Sequence, residues 1–184
     1  MNRRTVILSI ALPVLVWVTW AAAADEKAHK LSTVSLRKMA DSLHAVIAAD
    51  QRTYVDEVLR HRQAAADTAL PGHAEMLRKA AQEIQRRGAE FSYTLRSLQP
   101  ISPANGPQTE VEQAGLQFVA THPGENFYTE EELGGRSYFT AVYAERATLA
   151  SCAACHNRHP KSPRTNIVLD DVMGAIVVRV PLEF

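Results

Sequence analysis

The chain holds two cysteines, three positions apart, with a histidine directly after the second: Cys152-Ala153-Ala154-Cys155-His156. On a helical turn, residues at this spacing project toward the same side. Two thiols so placed can reach two neighbouring points on one flat ligand, and the next residue brings an imidazole over its face. Cys-x-x-Cys-His is the attachment sequence for c-type haem, with thioethers to the two vinyl groups and the histidine binding iron as proximal ligand. Other uses of the pair fit less well. A redox dithiol wants a preceding strand and a following helix, whereas Pro160 and Pro163 interrupt the chain after the motif. A zinc site could draw on Cys152, Cys155 and His159, but no second Cys or His pair has the usual spacing. A disulfide across two intervening residues would be strained and close almost no loop. The expected cofactor is therefore one covalently attached haem c, with its iron, held by Cys152, Cys155 and His156.

Haem iron has a second axial position, and the long first helix offers its candidate ligands. From Leu31 to Gln63 there is no Gly or Pro, and Leu36, Met39, Leu43, Ile47, Tyr54 and Val58 recur at helical steps. At about 100° per residue, His61 falls near the centre of this stripe and His44 about 80° to one side. His44 is the first choice for the sixth ligand, with His61, Met39, water or an empty site as alternatives. A histidine would give a low-potential bis-imidazole haem, and a methionine would raise the potential. His159 follows His156 too closely to reach the opposite face of one ring and is read as solvated. Asp50, on the apolar side of the same helix, is read as marking a bend.

The remaining elements must position this machinery. Leu70-Pro71-Gly72 breaks the first helix, and a second is expected from His73 to Arg87, with Met76, Leu77, Ala80, Ala81 and Ile84 on one face and Gly88 as its stop. The period then shortens. Strands are expected at Phe91–Leu95, Asn126–Leu133, Arg136–Glu145 and Gly174–Pro181, with Gly134-Gly135 as the turn between the middle two. Pro100 to Pro107 reads as an ordered loop, and Val111 to Val119 as a short helix. Helices first and an antiparallel sheet afterwards give an α+β fold. Tyr93 and Tyr138 suit either the core or a haem border, and Glu130-Glu131-Glu132 reads as a solvated strand edge.

The N-terminus carries an address. Arg3 and Arg4 precede an uncharged run of 15 residues from Val6 to Trp20, and Ala22-x-Ala24 supplies a signal-peptidase site. The expectation is a signal peptide at 1–24 cleaved after Ala24, one domain at 25–184, and a periplasmic location; the alternative is an uncleaved anchor. Basic and acidic residues balance at 20 each, which argues against nucleic-acid binding.

From Phe91 onward the chain resembles a family of bacterial haem-binding sensory domains. The likeness lies in Leu95-Arg96-Ser97-Leu98-Gln99-Pro100, Pro103-Ala104-Asn105-Gly106-Pro107, Gly135-Arg136-Ser137-Tyr138-Phe139, Cys152 to His156, and Asp171 through Leu182. That family has a PAS-like fold with one c-type haem, and occurs alone in the periplasm or as the outer part of histidine kinases and chemoreceptors. The resemblance implies a PAS-like antiparallel sheet with a long N-terminal helix, and places Arg96 where a guanidinium suits haem propionates. Two departures matter. The stretch between His156 and Asp170 lacks the family's Gly-rich insertion, so the haem edge is expected to be more exposed. No transmitter follows Phe184, so a signal is expected to pass through a partner. The expected function is a redox or small-gas (NO, CO) sensing domain, with a periplasmic electron-transfer cytochrome as the alternative. No distal His-Arg pair is legible, which argues against an enzyme. Besides haem, the expected partners are a redox protein or a membrane signalling protein, with a homodimer left open.

Overall fold

The computed structural model describes the backbone of residues 8–59 and 72–183 and the side chains of residues 25–58 and 72–183. Helix α1 runs from Leu8 to Thr53 and passes into a π-helical stretch over Tyr54–Leu59. The expected helix thus begins earlier and changes its winding at Tyr54; His61 lies outside the described residues. Ala40 and Ile47 are buried and Leu43 half-buried, while Met39 is 46 % exposed. Met39 therefore does not belong to the stripe as expected. At about 100° per residue it lies some 80° off the line through Ile47, on the flank opposite His44.

Helix α2 spans His73–Arg86 and ends as the sequence implies. Gly88 takes a left-handed φ of 78°, and the Gly88 and Ala89 amides donate to the Gln85 and Ile84 carbonyls at 3.0 and 3.3 Å. These are the two bonds of a Schellman stop. Strand β1 covers Ser92–Arg96, and a 3-10 turn at Pro103–Asn105 leads to helix α3, Glu110–Thr121. Thr109 caps α3 by accepting from the Glu112 amide at 3.1 Å. Strands β2 (Phe127–Leu133) and β3 (Arg136–Arg146), helix α4 (Ala150–Arg158) and strand β4 (Val172–Pro181) complete the chain.

The four strands form one antiparallel sheet in the order β1-β4-β3-β2. The α+β expectation holds, with strand ends within two residues of those expected. Side chains alternate between the two faces. One face carries Tyr93, Phe139, Ala141, Tyr143, Ile176, Val178 and Val180, all buried. The α1 side chains reach this face: Tyr128 and Tyr143 both donate to Asp41 Oδ1 at 2.8 Å. The other face packs Val142, Ala175 and Val177 against Leu116 and Val119 of α3. Gly115 allows that approach, since a Cβ there would lie 2.6 Å from Val142 Cγ2. The chain divides into two units, Met1–Leu36 and Arg37–Phe184, and the sheet, α2 to α4 and the cysteine motif all belong to the second.

On the α3 face lies a closed set of charges. Arg179 Nη2 donates to Glu112 Oε1 at 3.0 Å, and its Nε donates to Glu131 Oε1 at 2.7 Å. Thr140 Oγ1 donates to the same Glu131 oxygen at 2.7 Å. Arg96 Nε sits 2.9 Å from Glu112 Oε2, off the line of a good hydrogen bond, and Arg96 Nη1 donates to the Ala104 carbonyl at 3.0 Å. Glu131 is thus no part of a solvated edge, its side chain being only 4 % exposed. The strand's alternation turns Glu130 and Glu132 outward and Glu131 toward Arg179.

Candidate functional site

The motif lies on α4, as its spacing implies. Ala153, between the cysteines, is buried against Ala147 and Ile167, and this sets the helix's rotation. Counting about 100° per residue from Ala153, Cys152, Cys155 and His156 fall within one arc of about 100° on a single side. Cys152 is half-buried and Cys155 exposed, both as free thiols. The site has the donor set a c-type haem requires: two reachable thiols and one imidazole on the same side of a short helix.

Polar clamps hold this helix in place. The Ala147 amide donates to the Asp171 carbonyl at 2.9 Å, and the Asp170 amide returns to the Ala147 carbonyl at 3.0 Å. Asp170 adopts a φ of 67°, a conformation that Asp tolerates better than most residues. Asn157, next to His156, grips the Ile167 backbone from both sides: its Nδ2 donates to the carbonyl and its Oδ1 accepts from the amide, each at 2.8 Å. Arg164 pairs with Asp171, and its Nη1 donates to the Val172 carbonyl at 3.4 Å. Sequence reasoning missed Asn157 and Arg164 as positioning residues. Their partners are backbone groups and a residue across a loop, which no local pattern announces.

His156 lines a cavity of about 460 Å³ shared with Arg164, Leu116, Met173 and Gly174, within the range of small-molecule sites. Burial, and then the neighbouring His159, hold the His156 imidazole below its ordinary pKa. That favours the neutral ring which binds a metal. His159 is exposed, as expected. Arg96 lies elsewhere on the same sheet end, 15 % exposed at its side chain and engaged by Glu112 and Ala104.

The expected sixth-ligand candidates fall in different places. His44 stacks on Tyr143, with ring centres 4.0 Å apart and planes 6° from parallel. Its Nε2 is buried without a hydrogen-bond partner. Burial lowers its pKa, and the Asp41 carboxylate opposes that shift. Met39 points away from the core. Tyr93 is core, 5 % exposed, whereas Tyr138 is half-buried, with the Arg136 guanidinium 5.9 Å above its ring. Asp50 is exposed.

A further histidine stands outside the candidates that the first helix offers. His73 opens α2 on the same side as buried Leu77, one turn later. Burial, and then the charge of His156, depress its pKa. The sequence does place His73 four residues before Leu77 on an apolar face, but nothing local says that this face looks toward residues 83 positions away.

A four-stranded α+β domain bearing a Cys-x-x-Cys-His helix is the class that fold and site define. Residues 23–181 match the Tll0287-like family, described as Tll0287, and the chain belongs to that family. A solved structure, of the cyanobacterial haem protein Tll0287, is 21 % identical and covers 61 % of this chain and 73 % of that one, with a TM-score of 0.44. No curated protein matches the chain.

Proposed function

We propose that this protein is an exported monohaem c-type cytochrome, with haem joined to Cys152 and Cys155 and its iron bound by His156. The observation that carries this reading is the common arc of the two thiols and the imidazole on a helix clamped at both ends. When bound, haem supplies an iron centre that cycles between ferric and ferrous states and can bind small gases. The protein's own residues do the rest. Ala153 sets the helix rotation, Asn157 fixes the backbone beside the ligand, and burial lowers the pKa of His156. Membership of a family that includes a haem protein supports the reading.

Within it, the protein acts as a redox or small-gas sensing domain of PAS-like type rather than as an enzyme, passing its signal to a partner protein outside the cytoplasm. Electron transfer is the second reading, and one observation favours it. Val168 and Leu169, in the loop clamped to the motif helix, are 61 % and 56 % exposed. Apolar side chains beside an attachment site suit brief contact with a redox partner.

Expression in a cell that matures c-type cytochromes tests the assignment. The denatured chain should keep a haem stain, and Cys152→Ala with Cys155→Ala should abolish it; haem released into acidified organic solvent would contradict covalent attachment. Ferrous absorption spectra with and without CO separate the two functions, since CO that displaces a sixth ligand favours sensing and a haem that refuses CO favours electron transfer. Intact mass tests export, with a mature chain expected to begin at Asp25.

A further inference from the structure

Resting on the covalent-haem reading, we infer that His73 is the second axial ligand of the haem iron, opposite His156. The topology brings the two together. Only a short link, Arg87 to Phe91, joins α2 to β1, and Gln85 on the last turn of α2 hydrogen-bonds the Phe91 carbonyl. The end of α2 therefore lies beside the start of β1, and α2 runs back along the strand, which puts its first turn near the strand's end.

That end is where the motif helix is anchored. Arg96, the last residue of β1, pairs with Ala175 of β4. Ser97 Oγ donates to the Met173 carbonyl at 2.7 Å, and Met173 packs on the cluster that includes Ala153 of the motif. His73 thus opens α2 at the sheet end that carries Cys152, Cys155 and His156, on the helix's buried side.

The same reasoning sets His44 back. Helix α1 runs toward the motif end of the sheet, since Asp41 meets Tyr143 while Gln51 Nε2 donates to Glu145 Oε2 at 2.8 Å. His44 precedes Gln51 by seven residues, about 10 Å of helix, and its ring is held flat against Tyr143. The other described histidines are committed or turned away, His29 being exposed on α1. His122 Nδ1 lies 3.0 Å from the Phe118 carbonyl and its ring stacks on Phe118; His159 is exposed and accepts from the Lys161 amide at 3.2 Å.

The test uses the full chain matured with haem, read by absorption and electron paramagnetic resonance rather than by activity. The wild type should be low-spin and six-coordinate. His73→Ala should lose the low-spin ferric signal, turn high-spin and bind CO in the ferrous form, and added imidazole should restore the low-spin state. His73→Met, which keeps a ligand and a similar side-chain volume, should stay low-spin with a sulfur-to-iron band and a raised potential. His44→Ala should leave the spectrum unchanged. A haem-stained wild type that is already high-spin, or a stained His73→Ala that stays low-spin, overturns the assignment alone. A wild type without haem stain overturns the covalent-haem reading, and this assignment with it.

Discussion

The charge network under α3 and the thiols and imidazole of the motif helix are both clusters of polar groups, and they are partnered to different degrees. Under α3, Glu112 and Glu131 each meet an arginine; Thr140 and the Gln108 amide donate to oxygens that also face Arg179 and Arg96, and Thr109 donates to Glu131 Oε2. Arg96 Nε lacks a well-aligned hydrogen bond there, but it lies beside a carboxylate oxygen of Glu112. Around α4, two thiols are free and burial lowers the pKa of the His156 imidazole beside them. A network whose carboxylates are all paired fixes the fold, and free thiols beside an imidazole are groups that can still take a ligand.

The comparison breaks most sharply at Glu112. Replacing it with alanine leaves Arg96 and Arg179 facing each other with one carboxylate removed, and should cost about 3–5 kcal/mol of folding stability. Denaturation in urea measures this. The haem spectrum of whatever folds should stay as in the wild type, because the network does not touch the iron. Gly174→Ala should come next. Its Cβ would lie 2.5 Å from the Arg96 carbonyl, forcing β1 and β4 apart at the motif end for about 1–3 kcal/mol. Because Ser97 and Met173 bond there, this variant should also disturb the spectrum, which the Glu112 variant should not.

A pH titration sharpens the contrast. Glu145, at the end of β3, has its carboxyl raised above the ordinary range by burial, with the Gln51 hydrogen bond opposing. A raised acid favours the folded state while protonated. Its contribution is complete below the ordinary glutamate pKa and lost as pH climbs through the raised one. Urea midpoints of the wild type should therefore fall relative to Glu145→Gln from mildly acid pH upward. A constant difference across that range would show that Glu145 titrates normally. The smallest effect belongs to the surface. Glu90→Ala removes an exposed pair with Arg136 at 3.1 Å and should change stability by less than about 1 kcal/mol.

Much of this was legible in the chain itself, for local reasons. The Cys152-x-x-Cys155-His156 spacing defines its chemistry because one helical turn is enough to align the three groups. Gly88 announced the end of α2, and alternation announced the four strands, because caps and pleats act over a few residues. Other features were decided only when distant segments met. Glu131 looked like one of three solvated carboxylates until β4 brought Arg179 under it. Met39 looked like a stripe residue until Ala40 and Ile47 set the contact line of α1. His73 looked like the mere start of a helix, since its relation to His156 exists only after α2 folds back along β1 and β4 carries the motif helix to the same end. Periodicity tells which side of an element is apolar, and tertiary packing alone decides what that side meets.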